Sequence, residues 1–590
     1  KGAFGAVGRI APDSMIQDAV VPRSRLPQVL ADAYRISAKY ELRLANVFHA
    51  GDGNLHPLIC FDSRWPEQVY RVKEAGRELM ETCVRAGGSI TGEHGVGFDK
   101  RELLSLVFSD HDLETMLRVR AAFDPSGLCN PGKIMPMLRG CGEARAVAVP
   151  NGHSERRETP ALSRETSAST ARLTTRSFDR AQAQQQLLPI VGATNISTET
   201  FAPSLFLTPE SIEQVCEVMK LASAGGWTVV PAGACTWLKA GNDLEPINLV
   251  LSTQKLNRII EHEPADLVAI TEAGVSLQAL NEELGQKGQW LPLDPPDDGR
   301  STIGGVVATG LGGAQQFGYG APRKHVIGMK VVRADGSLIK VGGRVVKNVA
   351  GYDLSKLFTG SYGTLGVIVE VNFKLRPVPF ETRTVLAFGE PQRLLEAGRQ
   401  VITSKLFPVA VELLSPALSK LAGLSEPGHV LLVKFDGSHN GVEHQAKMAS
   451  AVISSSGLNE ASVIGNDVSV WRAVAALPLS FVENFVSRVT VKPADLLSIT
   501  SRFSSESAWQ ASVGTGQVRV ISQDIDDIKS LRMDAKNLGG SVIIEHAPSG
   551  IKPQIDAWGG LGDSINLMQR IKNQLDPDRI LAPGRFSSTL

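Results

Sequence analysis

The sequence predicts an α+β protein made of two related units joined head to tail. Three observations carry this reading: a C-terminal signature that occurs twice, a polar segment between the two occurrences, and a set of glycine-rich loops after strands in the second unit. Residues 123–133 read FDPSGLCNPGK and residues 575–585 read LDPDRILAPGR. Upstream, Gly87-Gly88-Ser89 and Glu93-His94 are matched by Gly539-Gly540-Ser541 and Glu545-His546. Glu93 to Glu545 and Asp124 to Asp576 are the same 452 positions apart, so the match runs without a gap. An amphipathic helix pattern precedes each double glycine, near 67–86 and 523–538, and Gly-Gly is a natural helix stop.

Between the copies, residues 139–185 change character. Ser154 to Pro160 reads SERRETP and 163–177 is rich in Ser and Thr, with few large apolar residues, which predicts a flexible linker. Residues 1–138 then form one unit and about 186–590 the other. A length of 590 residues fits roughly three to four domains. Hydrophobic residues make up 43% and charged residues 21%, the balance of a soluble globular chain. Lys plus Arg equals Asp plus Glu at 61 each, so no basic excess points to nucleic acid.

No apolar stretch approaches the ~18 residues that span a bilayer. Lys1-Gly2-Ala3-Phe4-Gly5 has no signal-peptide pattern; without an initiator Met it reads as the interior of a longer frame. Six scattered cysteines with no Cys-x-x-Cys suit a reducing, cytoplasmic setting and argue against an iron–sulfur cluster held by this chain.

In the second unit, WTVVP at 227–231 reads as a short buried strand running into Ala232-Gly233-Ala234-Cys235-Thr236. Small residues after a strand let backbone N–H groups approach a pyrophosphate, although a Pro-Ala-Gly strand end is also a common plain turn. Residues 302–313 (TIGGVVATGLGG) could lay bare backbone against a flat ring. Residues 360–371 (GSYGTLGVIVEV) end in a β-rich run. Asp335-Gly336 marks a hairpin across 326–341, and 268–293 reads strand, helix, strand before Asp294-Pro295-Pro296.

The order PAGACT, LDPP, TIGGVVATG, KNVAGYDLSKLF, GSYGTLGVIVEV resembles the FAD-binding domain of the vanillyl-alcohol oxidase/PCMH family, and within it the FAD-binding subunits of glycolate oxidases. The resemblance covers about 195–590. It implies a PCMH-type FAD-binding domain of two subdomains within 186–380, and a degenerate, antiparallel ferredoxin-like cap with the C-terminal domain over 381–590. It further implies non-covalent FAD held by Pro231, Ala232, Gly233, Ala234, Cys235, Thr236, Pro295, Thr302, Gly304, Gly305, Thr309, Gly363, Gly366 and Val367. The pyrophosphate loop has no His, and Cys235 reads as a small apolar thiol rather than a flavin tether. Lys347, Tyr352 and Asp353 fall in a motif of the family and are expected to be structural.

In the first unit, HAGDGNLH at 49–56 places His49 and His56 seven apart across a bend allowed by Gly51 and Gly53. Glu93-His94 follows within TGEHGVG. Two imidazoles and a carboxylate can hold a divalent ion (Zn, Fe or Mn) and leave positions for a 2-hydroxy acid. The ion would acidify the substrate hydroxyl, and a neutral His could take its proton. Residues 1–138 resemble the C-terminal part of catalytic, D-lactate-dehydrogenase-like glycolate oxidase subunits, a partial cap whose own FAD domain does not precede it here. That resemblance implies His49, His56 and Glu93 as metal ligands and His94 as catalytic base, with Lys133 facing the site.

In the second copy SVGTGQVR at 512–519 matches HAGDGNLH: Ser512 stands for His49 and Arg519 for His56. Arg is no metal ligand, so this copy reads as having lost the ion; Arg519 would complete a salt bridge or hold a substrate carboxylate. Together these readings imply an FAD-dependent 2-hydroxy-acid oxidoreductase subunit. It would act on glycolate or D-lactate beside a catalytic flavoprotein and an iron–sulfur subunit, peripheral to a membrane only through those partners. An alternative is a non-catalytic flavin-containing assembly subunit. A third reading lets the first unit's metal cap serve the second unit's flavin.

Overall fold

In the computed structural model, residues 2–136 and 178–587 are described, except 245, 425–427, 459–460, 466 and 549–553. Most of the expected linker, 137–177, lies outside the described residues. Its last residues are already structured, because the helix Arg180–Val191 begins inside the segment assigned to it. Asp179 caps that helix by accepting from Gln182 N, a start signal that a polar-segment reading overlooks.

The first unit is a half-cap. Antiparallel strands Asp13–Ile16 and Ala19–Val20 pair with Asn54–Phe61, which also takes Arg43–His49. The helices Leu26–Lys39 and Pro66–Arg85 cover this sheet. Val72, Ala75, Leu79, Met80 and Cys83, on one face of the second helix, are buried against Val29, Ile36, Leu55 and Ile59. Ser109 starts the helix Asp110–Phe123 with a reciprocal capping box to Asp112.

The second unit contains two sheet-based subdomains followed by a large antiparallel sheet. Strands Leu205–Leu207, Leu249–Ser252 and Val229–Ala232 pair in parallel under the helices Arg180–Val191 and Ile212–Gly225. The second subdomain is a five-stranded antiparallel sheet in the order 338–342, 326–332, 367–374, 268–272, 259–263. The hairpin turns at Asp335-Gly336, where Gly336 has φ +80. TIGGVVATG differs from a bare loop: Ile303–Thr309 is a short helix, because Thr302 Oγ1 accepts from Gly305 N. The cap is an eight-stranded antiparallel sheet between Glu381 and His546. The tail then returns to the first subdomain, where Val229 N donates to Ile580 O.

The repeat is structural. In the first unit His49 faces Asn54 and Val47 faces His56; in the second, Ser512 faces Gln517 and Gln510 faces Arg519. A Cβ on Gly53 or on Gly516 would come within 2.0 Å of the carbonyl oxygen of Val21 or Val491 respectively, so both hairpins need glycine at the same place. The two units pack through repeat-related helices, Asp110–Phe123 against Ser564–Leu575. Phe108, Leu113 and Met116 join one core with Ile339, Val341, Ala350 and Leu575. The buried Arg333 guanidinium donates to Thr115 Oγ1 (3.2 Å) and Glu114 Oε2 (3.3 Å) across the junction. No described helix is long and apolar enough to cross a membrane.

Candidate functional site

The strand Val229–Ala232 delivers its buried end into Gly233-Ala234-Cys235-Thr236, where Cys235 adopts φ +62. A Cβ on Gly233 would lie 2.0 Å from Thr302 Oγ1, and Gly363 (φ +73) sits against the Pro231 ring. These close approaches leave a groove of about 710 Å³, part of it open to solvent, walled largely by backbone and small side chains. Pro231 to Thr236 line it together with Thr302, Gly304, Gly305 and Thr309, and Gly363, Gly366 and Val367 close the other side.

Pro295 does not line the groove. It is buried, and the next residue, Pro296, lines the adjoining chamber. Asp294 and Pro295 each precede a proline and are pushed toward extended backbone, so consecutive residues turn to opposite sides. Trp237, Tyr362 and Arg585 also line the groove and were missed. Burial pulls the Arg585 guanidinium down to about 10. Its repeat counterpart is Lys133, so the duplicated Pro-Gly-Lys/Arg ending held the signal for it. Lys133 itself is exposed, with Nζ 5.6 Å from the Phe98 ring.

The chamber beside the groove has about 1740 Å³ of space, including open solvent, and is roofed by the cap residues Ile543 to His546 and Leu479 to Glu483. Within this roof, Glu545 accepts from Arg488 Nε (2.7 Å) and from Arg519 Nε (2.9 Å). Arg519 also donates to Gly312 O at 3.3 Å. Of the two roles open to Arg519, the geometry realises the salt bridge. Nearby Glu412 is buried, accepts from Gln510 Nε2 at 2.8 Å, and is pushed by burial up to about 7.

The N-terminal triad assembles as the motif suggests. His49 ends one strand, His56 lies on the facing strand, and Glu93 comes from the loop after the double glycine. One ligand atom from each lies within 4.8 Å of the others, a donor set that fits a divalent ion. His56 is buried and burial holds its imidazole below the ordinary value, whereas His49 and Glu93 are exposed. His94 stacks on His56 with ring centroids 5.0 Å apart.

Lys347, from the second unit, donates to Glu93 and to Asp52, and this ammonium is the first cause of the lowered Glu93 pKa. Tyr352 accepts from Arg120 at 3.0 Å. The KNVAGYD motif therefore joins the units. No described residue of the first unit lines the groove or the chamber.

Residues 1–134 and 521–586 match the family described as FAD linked oxidases, C-terminal domain, and 203–342 match the FAD binding domain family. The chain carries the domains of FAD-linked oxidases. The two-part match to the C-terminal domain falls on the first unit and on the C-terminal end of the second. Glycolate oxidase subunit GlcD of Escherichia coli (strain K12) is 50% identical over 153 residues, 26% of this chain and 31% of that protein. The chain thus spans about a third of the length of that relative. GlcD of Bacillus subtilis (strain 168) is 28% identical over 65% of this chain and 89% of its own length. Among solved structures, p-cresol methylhydroxylase with substrate bound aligns over 69% of this chain and 96% of that one, with TM-score 0.57 and 16% identity, which gives the FAD-linked oxidase domains their PCMH-type fold.

The groove fits the flavin these domains imply. Glycines in its wall pack so closely on neighbouring protein atoms that a Cβ would clash, as Gly233 does on Thr302 and Gly366 on Val331, which keeps this wall free of side chains. Cys235, in that wall, is a free thiol pushed up by burial, away from the reactive thiolate.

Proposed function

We propose that this chain is the FAD-binding subunit of a glycolate-oxidase-type complex that oxidises 2-hydroxy acids such as glycolate or D-lactate to 2-oxo acids. The observation that carries the reading is the backbone-walled groove at 231–236, 302–309 and 363–367, roofed by a cap of the same family. FAD, held there without a covalent tether, would supply the two-electron acceptor chemistry. The small residues of the wall would let backbone donors reach the pyrophosphate, and Trp237 and Tyr362 line both the groove and the chamber.

The roof over this groove has an ion triplet where the first cap has its triad. The groove of the second unit is therefore read as an electron-transfer station, its electrons leaving toward an iron–sulfur partner. In the first cap, His49, His56 and Glu93 would hold a divalent ion that binds and acidifies the substrate hydroxyl. His94, stacked on His56, would take that proton. A second FAD domain would complete this site.

The test is an anaerobic titration of purified yellow protein. The isolated chain should keep its flavin oxidised when glycolate or D-lactate is added, and should lose colour once a catalytic partner subunit is supplied. Flavin that stays oxidised with partner and substrate both present would leave only the assembly role. Colourless protein that takes up no added FAD would end the proposal.

A further inference from the structure

Asp18 lies just before the strand Ala19–Val20, its side chain fully buried. One carboxylate oxygen, Oδ2, accepts from Thr91 Oγ1 (2.7 Å), Gly92 N (3.0 Å), Glu93 N (2.9 Å) and His94 N (2.8 Å). It thereby shapes the loop that presents Glu93 and His94. The other oxygen, Oδ1, has no hydrogen-bond partner, and neither has the buried Nδ1 of His56. These two orphaned atoms face each other at 3.8 Å. Two buried polar atoms without partners need a reason, and an acceptor oxygen opposite an imidazole nitrogen supplies one when that nitrogen carries the proton. On the other edge of the ring, Nε2 lies 3.8 Å from Glu93 Oε2, inside the triad.

We propose that Asp18 is a positioning residue that makes His56 a metal ligand, by holding the proton on Nδ1 and leaving the Nε2 lone pair aimed between His49 and Glu93. The inference rests on the metal reading of the triad and adds a residue to it. One side chain then indexes two of the three ligands, the ring through Oδ1 and the Glu93 loop through Oδ2. A carboxylate behind a ligating histidine fixes tautomer and orientation in this way.

The second cap supplies an internal contrast. Register along the paired strands (Ala19 opposite Leu55, Val489 opposite Val518) puts Arg488 at the place of Asp18. Where the imidazole ligands are gone, the carboxylate behind them is gone too, and Arg488 turns to Glu545.

Asp18→Asn tests the idea in the full chain. The amide oxygen can still accept from the loop, but its NH2 group faces His56 Nδ1, which must then accept, and the ring proton moves to Nε2. With 15N-labelled histidine and no metal, the wild-type His56 should be the Nδ1–H tautomer and the variant the Nε2–H tautomer. Zinc affinity, read by competition with a chelator, should fall roughly 10- to 100-fold in the variant. Flavin content reports that the rest of the chain is folded and should not change. Zinc binding by the wild type that Asp18→Asn leaves intact would overturn the role of Asp18 and spare the metal reading. No zinc binding by the wild type would overturn both. If the variant unfolds the segment, the wild-type tautomer decides alone: Nε2–H in the metal-free chain rejects the proposal.

Discussion

In the first cap the hairpin Arg43–His49/Asn54–Phe61 carries two imidazoles, with a carboxylate behind one of them and Glu93 in front. In the second cap the same hairpin positions carry Ser512 and Arg519, with Arg488 in place of Asp18 and Glu545 in place of Glu93. Only the glutamate is common to both. In the first set the partly buried Lys100 sits beside Asp18, donating to its carbonyl oxygen, while His49, His56 and Glu93 converge in front and leave a place for a divalent ion. The second has two guanidiniums on one carboxylate and satisfies itself, leaving nothing for a metal to neutralise. One sheet geometry thus supports either a site or a brace, and the choice lies in three side chains.

The contrast breaks most visibly at the shared glutamate. In the second cap Glu545→Gln strips two partly buried guanidiniums of their counter-charge, and unfolding free energy should fall by about 3–5 kcal/mol in urea titrations followed by Trp fluorescence. In the first cap Glu93→Gln should leave the unfolding midpoint near that of the wild type, because its carboxylate is exposed, while zinc binding disappears. Equal destabilisation by both would mean that the first triad is also a brace.

The flavin side can be cut away from the metal side. Gly233→Ala drives a Cβ to 2.0 Å from Thr302 Oγ1, and either Thr302 or the loop must move. Flavin affinity should drop roughly tenfold or more, seen as colour lost on gel filtration, with zinc binding unchanged because no described residue of the first unit lines the groove.

A pH scan sharpens the description of the second cap. Glu412 titrates at about 7 in the folded chain against an ordinary value of 4.5, with burial the first cause. The folded state therefore holds this proton more tightly than the unfolded state does. The stabilising contribution is complete below about pH 4.5 and is lost as pH rises through 7, on the order of 3 kcal/mol in all. Glu412→Gln should flatten that part of the stability–pH curve relative to the wild type.

The repeat was legible because FDPSGLCNPGK and LDPDRILAPGR sit at a fixed offset, and the flavin loops because small residues cluster at strand ends. His49, His56 and Glu93 were legible for the same reason: two of them share one hairpin, and the third opens a glycine-rich loop. Asp18 was not, since it lies 75 residues upstream of Glu93 with nothing beside it in the sequence to mark it. What selects it is burial with one oxygen unpartnered. Lys347 was read as structural in its own unit because a sequence shows no contact across a junction, and Pro295 was placed on the groove wall because a motif does not say which of two adjacent prolines turns inward.

Lys347 offers the finest probe of the comparison. The second cap carries its cations on its own strands, whereas the first borrows one from the flavin unit, where Lys347 bridges Glu93 and Asp52. A divalent ion would have to share Glu93 with that ammonium or displace it. Lys347→Ala removes the competing charge at the cost of an exposed ion pair, which contributes little to stability. The unfolding midpoint should barely move, and zinc should bind roughly threefold to tenfold more tightly, with the gain shrinking as salt screens the lysine in the wild type. Weaker zinc binding in this variant would mean instead that Lys347 orients Glu93 for the ion, making the flavin unit a supporting shell of the first cap rather than its competitor.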